Sequence, residues 1–229
     1  MELIPFNLLG ILAFIGATVY AVGDVLLLAS KATAEDFPKL KPYTKLLSDA
    51  ERMAALSPTR MMWGALIGVF MTPLVLFGFW HAYQGLSGVN AWAGLAVFGL
   101  FGIATIMGAF VHGTFYYMGE YIHALNDVKE DSHPVIVGMI ERHKKVLLVT
   151  YVPLLGFIVI ASILFSVLVA SGKTAFPVWM AAVNPLTLTI IWLLIKRILP
   201  QFVRDWTEGA GFNIAYMAFF AFTTVSLWK

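Results

Sequence analysis

The chain has 229 residues, 60% of them hydrophobic and only 12% charged, with a formal net charge of +2 and a mean hydropathy of +0.83. A soluble domain of this length needs far more polar surface, so the composition describes an integral membrane protein. The absence of cysteine excludes disulfides, thiolate metal sites and cysteine nucleophiles together.

A hydrocarbon core of about 30 Å takes roughly 20 apolar residues in a helix. Six runs meet that length, near 6–29, 61–83, 91–118, 146–169, 176–195 and 209–228. No run alternates with the period of two that a barrel strand shows, and an open sheet could not satisfy its backbone in lipid. The expected fold class is therefore all-α. It is a polytopic membrane protein forming a single transmembrane helical bundle over 1–229, with six transmembrane helices and an amphipathic cytoplasmic helix between the first two.

The first run lacks a basic n-region, is too long for a leader and ends in GDVLLLAS rather than at a small-residue cleavage site, so it is expected to remain as a span. Gly10, Ala13, Ala17, Tyr20 and Asp24 share one stripe of it. The following KPYTKLLSDAERMAALSPTR places Tyr43, Leu46, Leu47, Ala50, Met53 and Ala54 at helical spacing. Pro42 suits a first helical turn, and Ser57-Pro58 ends the segment. A helix lying on the inner membrane face or capping the bundle is expected.

The second run carries Gly64, Gly68 and Thr72 at four-residue intervals, which lets helix backbones approach closely. Gly64 and Gly68 are also the candidate contact for pairing with a second copy of the chain. FWHAY at its end reads His81 as part of an interfacial aromatic belt with Trp80 and Tyr83. Pro73, Pro153 and Pro185 fall within runs and predict kinks, with Asn184 and Thr187 beside the third.

The third run continues into GAFVHGTFYYMGEYIHAL, where Thr105, His112, Tyr116, Gly119 and His123 lie in a narrow stripe and Glu120 to one side. At about 1.5 Å per residue, His112 lies roughly 30 Å down the third span and Asp24 roughly 27 Å down the first. The two reach similar depth, and Asn213 in the last run arrives near the same level. Asp24 must face the bundle and find a donor, because a lone carboxylate beside lipid costs several kcal/mol. His112 is its expected partner, with Tyr20, Tyr116, Asn213 and Arg60 able to complete the network. Glu120 and His123 sit one or two turns further in, at the cytoplasmic interface. Asp24, His112, Tyr116, Asn213, Tyr20, Arg60, Glu120 and His123 form the candidate binding set.

Thirteen of the fifteen Lys and Arg residues lie between runs one and two, three and four, or five and six; only Lys173 and Lys229 lie on the other side. This bias places those segments in the cytoplasm and both termini outside. No metal or cofactor is expected: His112 and His123 are roughly 16 Å apart along a straight helix, and there is no HExxH. Neither G-x-S-x-G nor a phosphate loop occurs, and no basic stripe interleaved with aromatics points to nucleic acid.

GDVLLLAS, SPTRMMWGALIGVFMTPLVLFGFWHAY and GAFVHGTFYYMGE resemble a family of small six-span bacterial membrane proteins, DUF6796. Its features fall on Gly23-Asp24, Arg60, Pro73 and Trp80-His81. The resemblance implies six helices and a bacterial inner membrane, brings no activity, and sets His81 against a simple belt role.

Three classes of function remain. The first is binding or transport of a small or amphipathic molecule in a cytoplasm-facing polar pocket around Asp24 and His112. The second is a membrane-embedded enzyme on a lipid-like substrate with Asp24–His112 as acid–base pair. The third is a structural or partner-binding protein in which these groups join helices. The lipid bilayer is the expected partner in all three.

Overall fold

The computed structural model describes residues 5–43, 45–47 and 50–228, and their regular secondary structure is entirely helical. The helices are α1 (Phe6–Leu28), α2 (Ala50–Ala54), α3 (Pro58–Leu86), α4 (Ala91–Asp127), α5 (His133–Ala170), α6 (Pro185–Ile198), α7 (Gln201–Trp206) and α8 (Gly211–Ser226). Local sequence sets several boundaries. Ser57 accepts the amide of Arg60 at 3.3 Å and Pro58 opens α3, while Asn90 accepts the amide of Ala93 at 3.1 Å to start α4.

Four helices, α1, α3, α4 and the α5 region, are long and apolar enough to cross a membrane. The last two expected runs are shorter as helices. The fifth divides into a 3-10 turn (Val178–Ala182) and α6 of 14 residues, and the last forms α8 of 16 residues. Pro185 is the reason for the first division. It stands at the opening position of α6 rather than kinking a continuous helix, and Asn184 caps it by accepting the amide of Thr187 at 3.0 Å. Pro73 and Pro153 do lie inside α3 and α5.

The outer surface carries exposed Phe70, Ile106, Val152 and Leu193, as lipid-facing helices require. Exposed Trp63 and Trp80 lie toward the two ends of α3, Trp92 at the start of α4 and Trp206 at the end of α7. Amphipathic rings favour both interfaces of a bilayer.

Inside, close packing joins α1 to α3 and α8, α3 to α4, α4 to α5, and α6 to α8. Small residues make it possible. A side-chain carbon on Gly64 would come within 2.9 Å of Gly23 O, and one on Gly68 within 2.1 Å of His112 Cδ2. Gly64 and Gly68 are thus consumed by packing within the chain, which corrects their candidacy as a self-association face: no surface is left there for a second copy. An aromatic core fills one half of the bundle, with Phe79 stacked on Phe101 at 4.4 Å and Phe165 edge-on to Phe219 at 5.3 Å.

The expected continuous amphipathic helix after α1 is instead a 3-10 turn (Pro38–Tyr43) and the five-residue α2; residues 44, 48 and 49 lie outside the described set. Its apolar residues still serve one purpose. Leu40, Leu47, Met53 and Leu56 are buried against Met61, Ile122, Leu125 and Ile140. Tertiary contacts with the projecting ends of α4 and α5 outweigh helical continuity in so short a segment.

Candidate functional site

Asp24 lies in the last turn but one of α1 and is buried. Asn213 in the first turn of α8 donates from Nδ2 to Oδ2 at 2.7 Å, and His112 of α4 presents Nδ1 to Oδ1 at 3.3 Å. Gly209 turns the chain into α8 directly above: its φ of +80° is open to glycine, and a side-chain carbon there would stand 2.6 Å from Leu28 and 3.9 Å from Asp24.

The protons of this trio follow from hydrogen-bond chemistry. His112 Nε2 is 2.9 Å from Gly64 O, and a carbonyl can only accept, so Nε2 carries hydrogen. A neutral ring would then turn a bare Nδ1 lone pair on a carboxylate oxygen. The contact is attractive only with one further proton between the two residues, held on either. Asp24 and His112 together are therefore net neutral, the state that low-dielectric burial favours. The edge of the Tyr20 ring meets the imidazole at 4.7 Å, and the Tyr20 hydroxyl reaches toward Gly108 O at 3.5 Å.

The trio forms one wall of a cavity of about 590 Å³, within the range of sites for small molecules. α1, α4, α5 and α8 line it, with Val75 of α3 in contact. α4 and α5 pack along their lengths, whereas α5 and α8 meet through Phe165–Phe219 and then bound the cavity from opposite sides. The walls are mostly apolar, including Ala104, Phe115, Leu154, Ile158 and Phe212. Tyr151 and Tyr216 add phenols, and Lys144 and Lys145 stand at one end.

The candidate residues divide evenly. Asp24, His112, Asn213 and Tyr20 converge on the cavity. Arg60, Tyr116, Glu120 and His123 do not. Arg60 donates from Nη2 to Val25 O at 3.1 Å and Ala29 O at 2.8 Å, closing the end of α1 instead of pairing with Asp24. His123 bonds Leu56 O at 2.8 Å and anchors the cap. Tyr116 lies beside Tyr117, its ring centroid 5.4 Å away, and Glu120 keeps a buried Oε1 without a hydrogen bond among the described residues. The stripe from His112 to His123 therefore divides along its length: four residues below His112, the helix has left the cavity for the cap.

His81 also departs from expectation. Trp80 and Tyr83 pair at 5.1 Å near the surface, but His81 is fully buried, stacks on Phe6 at 4.4 Å, and among the described residues has no hydrogen bond to either ring nitrogen. Neighbouring residues on a helix point about 100° apart, so only Trp80 and Tyr83 of this triplet reach the belt. The residues that the sequence reading missed are Gly108, Tyr151, Tyr216 and the Lys144–Lys145 pair. Tyr151, Leu154 and Ile158 at three- and four-residue spacing on α5 were the available signal.

No curated protein and no solved structure matches the chain. A family model described as a family of unknown function, DUF6796, matches residues 2–229, essentially the full length, and the chain belongs to that family.

Proposed function

We propose that this protein is a membrane-embedded binding protein for an amphipathic molecule, held in the cavity between α1, α4, α5 and α8 with its polar end on the side of Asp24, His112, Asn213 and the lysine pair. The observation that carries this reading is a 590 Å³ space whose walls are mostly apolar, with one buried hydrogen-bonding wall, the phenols of Tyr151 and Tyr216, and one cationic end. A ligand that is apolar along most of its length and polar at few points complements such a lining. The bonding of His112 weighs against acid–base turnover: both ring nitrogens are engaged by the protein, leaving none free to face a substrate.

The membrane setting belongs to the same proposal. Six crossings, with α6 and α8 as short spans, leave thirteen basic residues on the side of the α2 cap. Charge bias makes this the cytoplasmic face, with both termini outside, and the family resemblance supplies the bacterial inner membrane.

The test is ligand-induced stabilisation. Purified protein is melted with palmitate, hexadecanol or hexadecylamine, and against Gly108→Phe. A side-chain carbon on Gly108 would meet only Leu154 Cδ1, at 3.7 Å, so the phenyl ring grows into the cavity without backbone conflict. At least one amphiphile should raise the melting temperature in a saturable manner, and Gly108→Phe should abolish that rise while melting no lower than the parent. The reading fails if none stabilises, or if the variant responds as the parent does.

A further inference from the structure

Resting on the cavity-binding reading above, we infer that the ligand is a single-chain amphiphile with an anionic head group, a carboxylate or phosphate monoester, seated at Lys144 and Lys145 with its chain toward Ile158.

The first observation is the charge of the lining. Asp24, His112, Lys144 and Lys145 are its ionisable groups besides the phenols of Tyr20, Tyr151 and Tyr216. Asp24 and His112 share one proton and cancel, because Nε2 of His112 is committed to Gly64 O. Two ammonium groups are left with no carboxylate of the lining to oppose them. Lys144 donates to a neutral carbonyl, Leu46 O, and among the described residues Lys145 makes no ion pair, Glu141 one turn away included. An anion entering this space finds charge-assisted donors without first breaking a salt bridge.

The second observation is the order of groups along the cavity. Gly108 of α4 faces Leu154 of α5, which sets the register between these two antiparallel helices. Counting about 1.5 Å per residue from that level, His112 lies roughly 6 Å toward the capped end and the lysines roughly 14 Å. The cationic pair is thus roughly 8 Å beyond the Asp24 wall, at the mouth, and the opposite end is closed by Ala104, Val75 and Ile158. The resulting sequence is cation pair, hydrogen-bonding wall, apolar floor. An anionic head followed by a hydrocarbon chain matches it in the one direction only.

The experiment is photo-crosslinking of the full chain in membranes with ω-diazirine palmitate and with the alcohol and amine of the same chain. The acid should label residues near Leu154 and Ile158 and lose this label to excess palmitate or lysophosphatidate, but not to acetate or inorganic phosphate. The alcohol should label at least about tenfold less. Lys144→Gln/Lys145→Gln should reduce acid labelling about tenfold, to the level of the alcohol, and Lys144→Arg/Lys145→Arg should restore it. Alcohol or amine labelling equal to that of the acid, or acid labelling indifferent to the glutamine variant, overturns the anionic assignment while leaving the cavity reading intact. If none of the three labels the cavity, both fail. Competition by palmitate alone identifies a carboxylate ligand, and by lysophosphatidate alone a phosphate one.

Discussion

His112 stands between two partners of opposite demand: Nε2 lies 2.9 Å from the carbonyl of Gly64, and Nδ1 lies 3.3 Å from a carboxylate oxygen of Asp24. The first fixes a proton on the ring and the second requires another between the residues. Three helices, α1, α3 and α4, are thereby joined at one imidazole, with α8 brought in through Asn213.

Asp24→Asn should melt within a few degrees of the parent. The new amide can donate to a neutral His112 Nδ1 while its oxygen accepts from Asn213, so every bond survives without the shared proton. His112→Leu should cost about 3 kcal/mol, because Asp24 stays buried with one partner lost. Thermal unfolding of the two variants compares them directly, and equal losses would contradict the proton arrangement.

Glycine substitutions should separate by position. Gly68→Ala drives a methyl into His112 and to within 2.7 Å of Tyr20, and should destabilise by about 1–3 kcal/mol. Gly99→Ala and Gly156→Ala meet nothing within 4 Å and should stabilise by about 0.5–1 kcal/mol through helix propensity alone. Unfolding in a denaturing detergent series reads the order, and a harmless Gly68→Ala would refute the packing described for α3.

The Arg52–Asp205 pair, at 2.8 Å, joins α2 to α7. The hydrogen bond from Arg52, helped by Gln201 and opposed by burial, holds the Asp205 carboxyl below its ordinary value. A carboxyl lowered on folding contributes stability that is complete above its unfolded pKa, about 3.9, and is lost as pH falls through the folded value. Asp205→Asn should therefore narrow the stability difference between neutral pH and pH values below about 4. A parent and variant with identical acid-side melting curves would show that the pair contributes nothing.

Because the chain has no cysteine, single cysteines report sidedness cleanly. Glu35→Cys and Val135→Cys should be shielded from an impermeant maleimide in intact cells, and Lys173→Cys should label. The reverse pattern would invert the proposed orientation.

Composition and periodicity alone determined that this is a helical membrane protein, that α1, α3, α4 and α8 begin near the expected runs, and that Asp24, His112 and Asn213 reach one depth. Those properties follow from the solvent and from the fixed rise of a helix. α5 instead begins at His133, well before the run expected from 146. The sequence could not decide which way a helix is rotated or where a register carries a stripe out of contact. So Arg60 turns to the carbonyls of α1, His123 to the cap, and His81 inward to Phe6. Nor could it place the Lys144–Lys145 end of α5 on the same cavity as Asp24. That juxtaposition exists because α4 packs along α5, with Gly108 facing Leu154, while α5 and α8 converge at their phenylalanines, leaving between them a space that no single helix encodes.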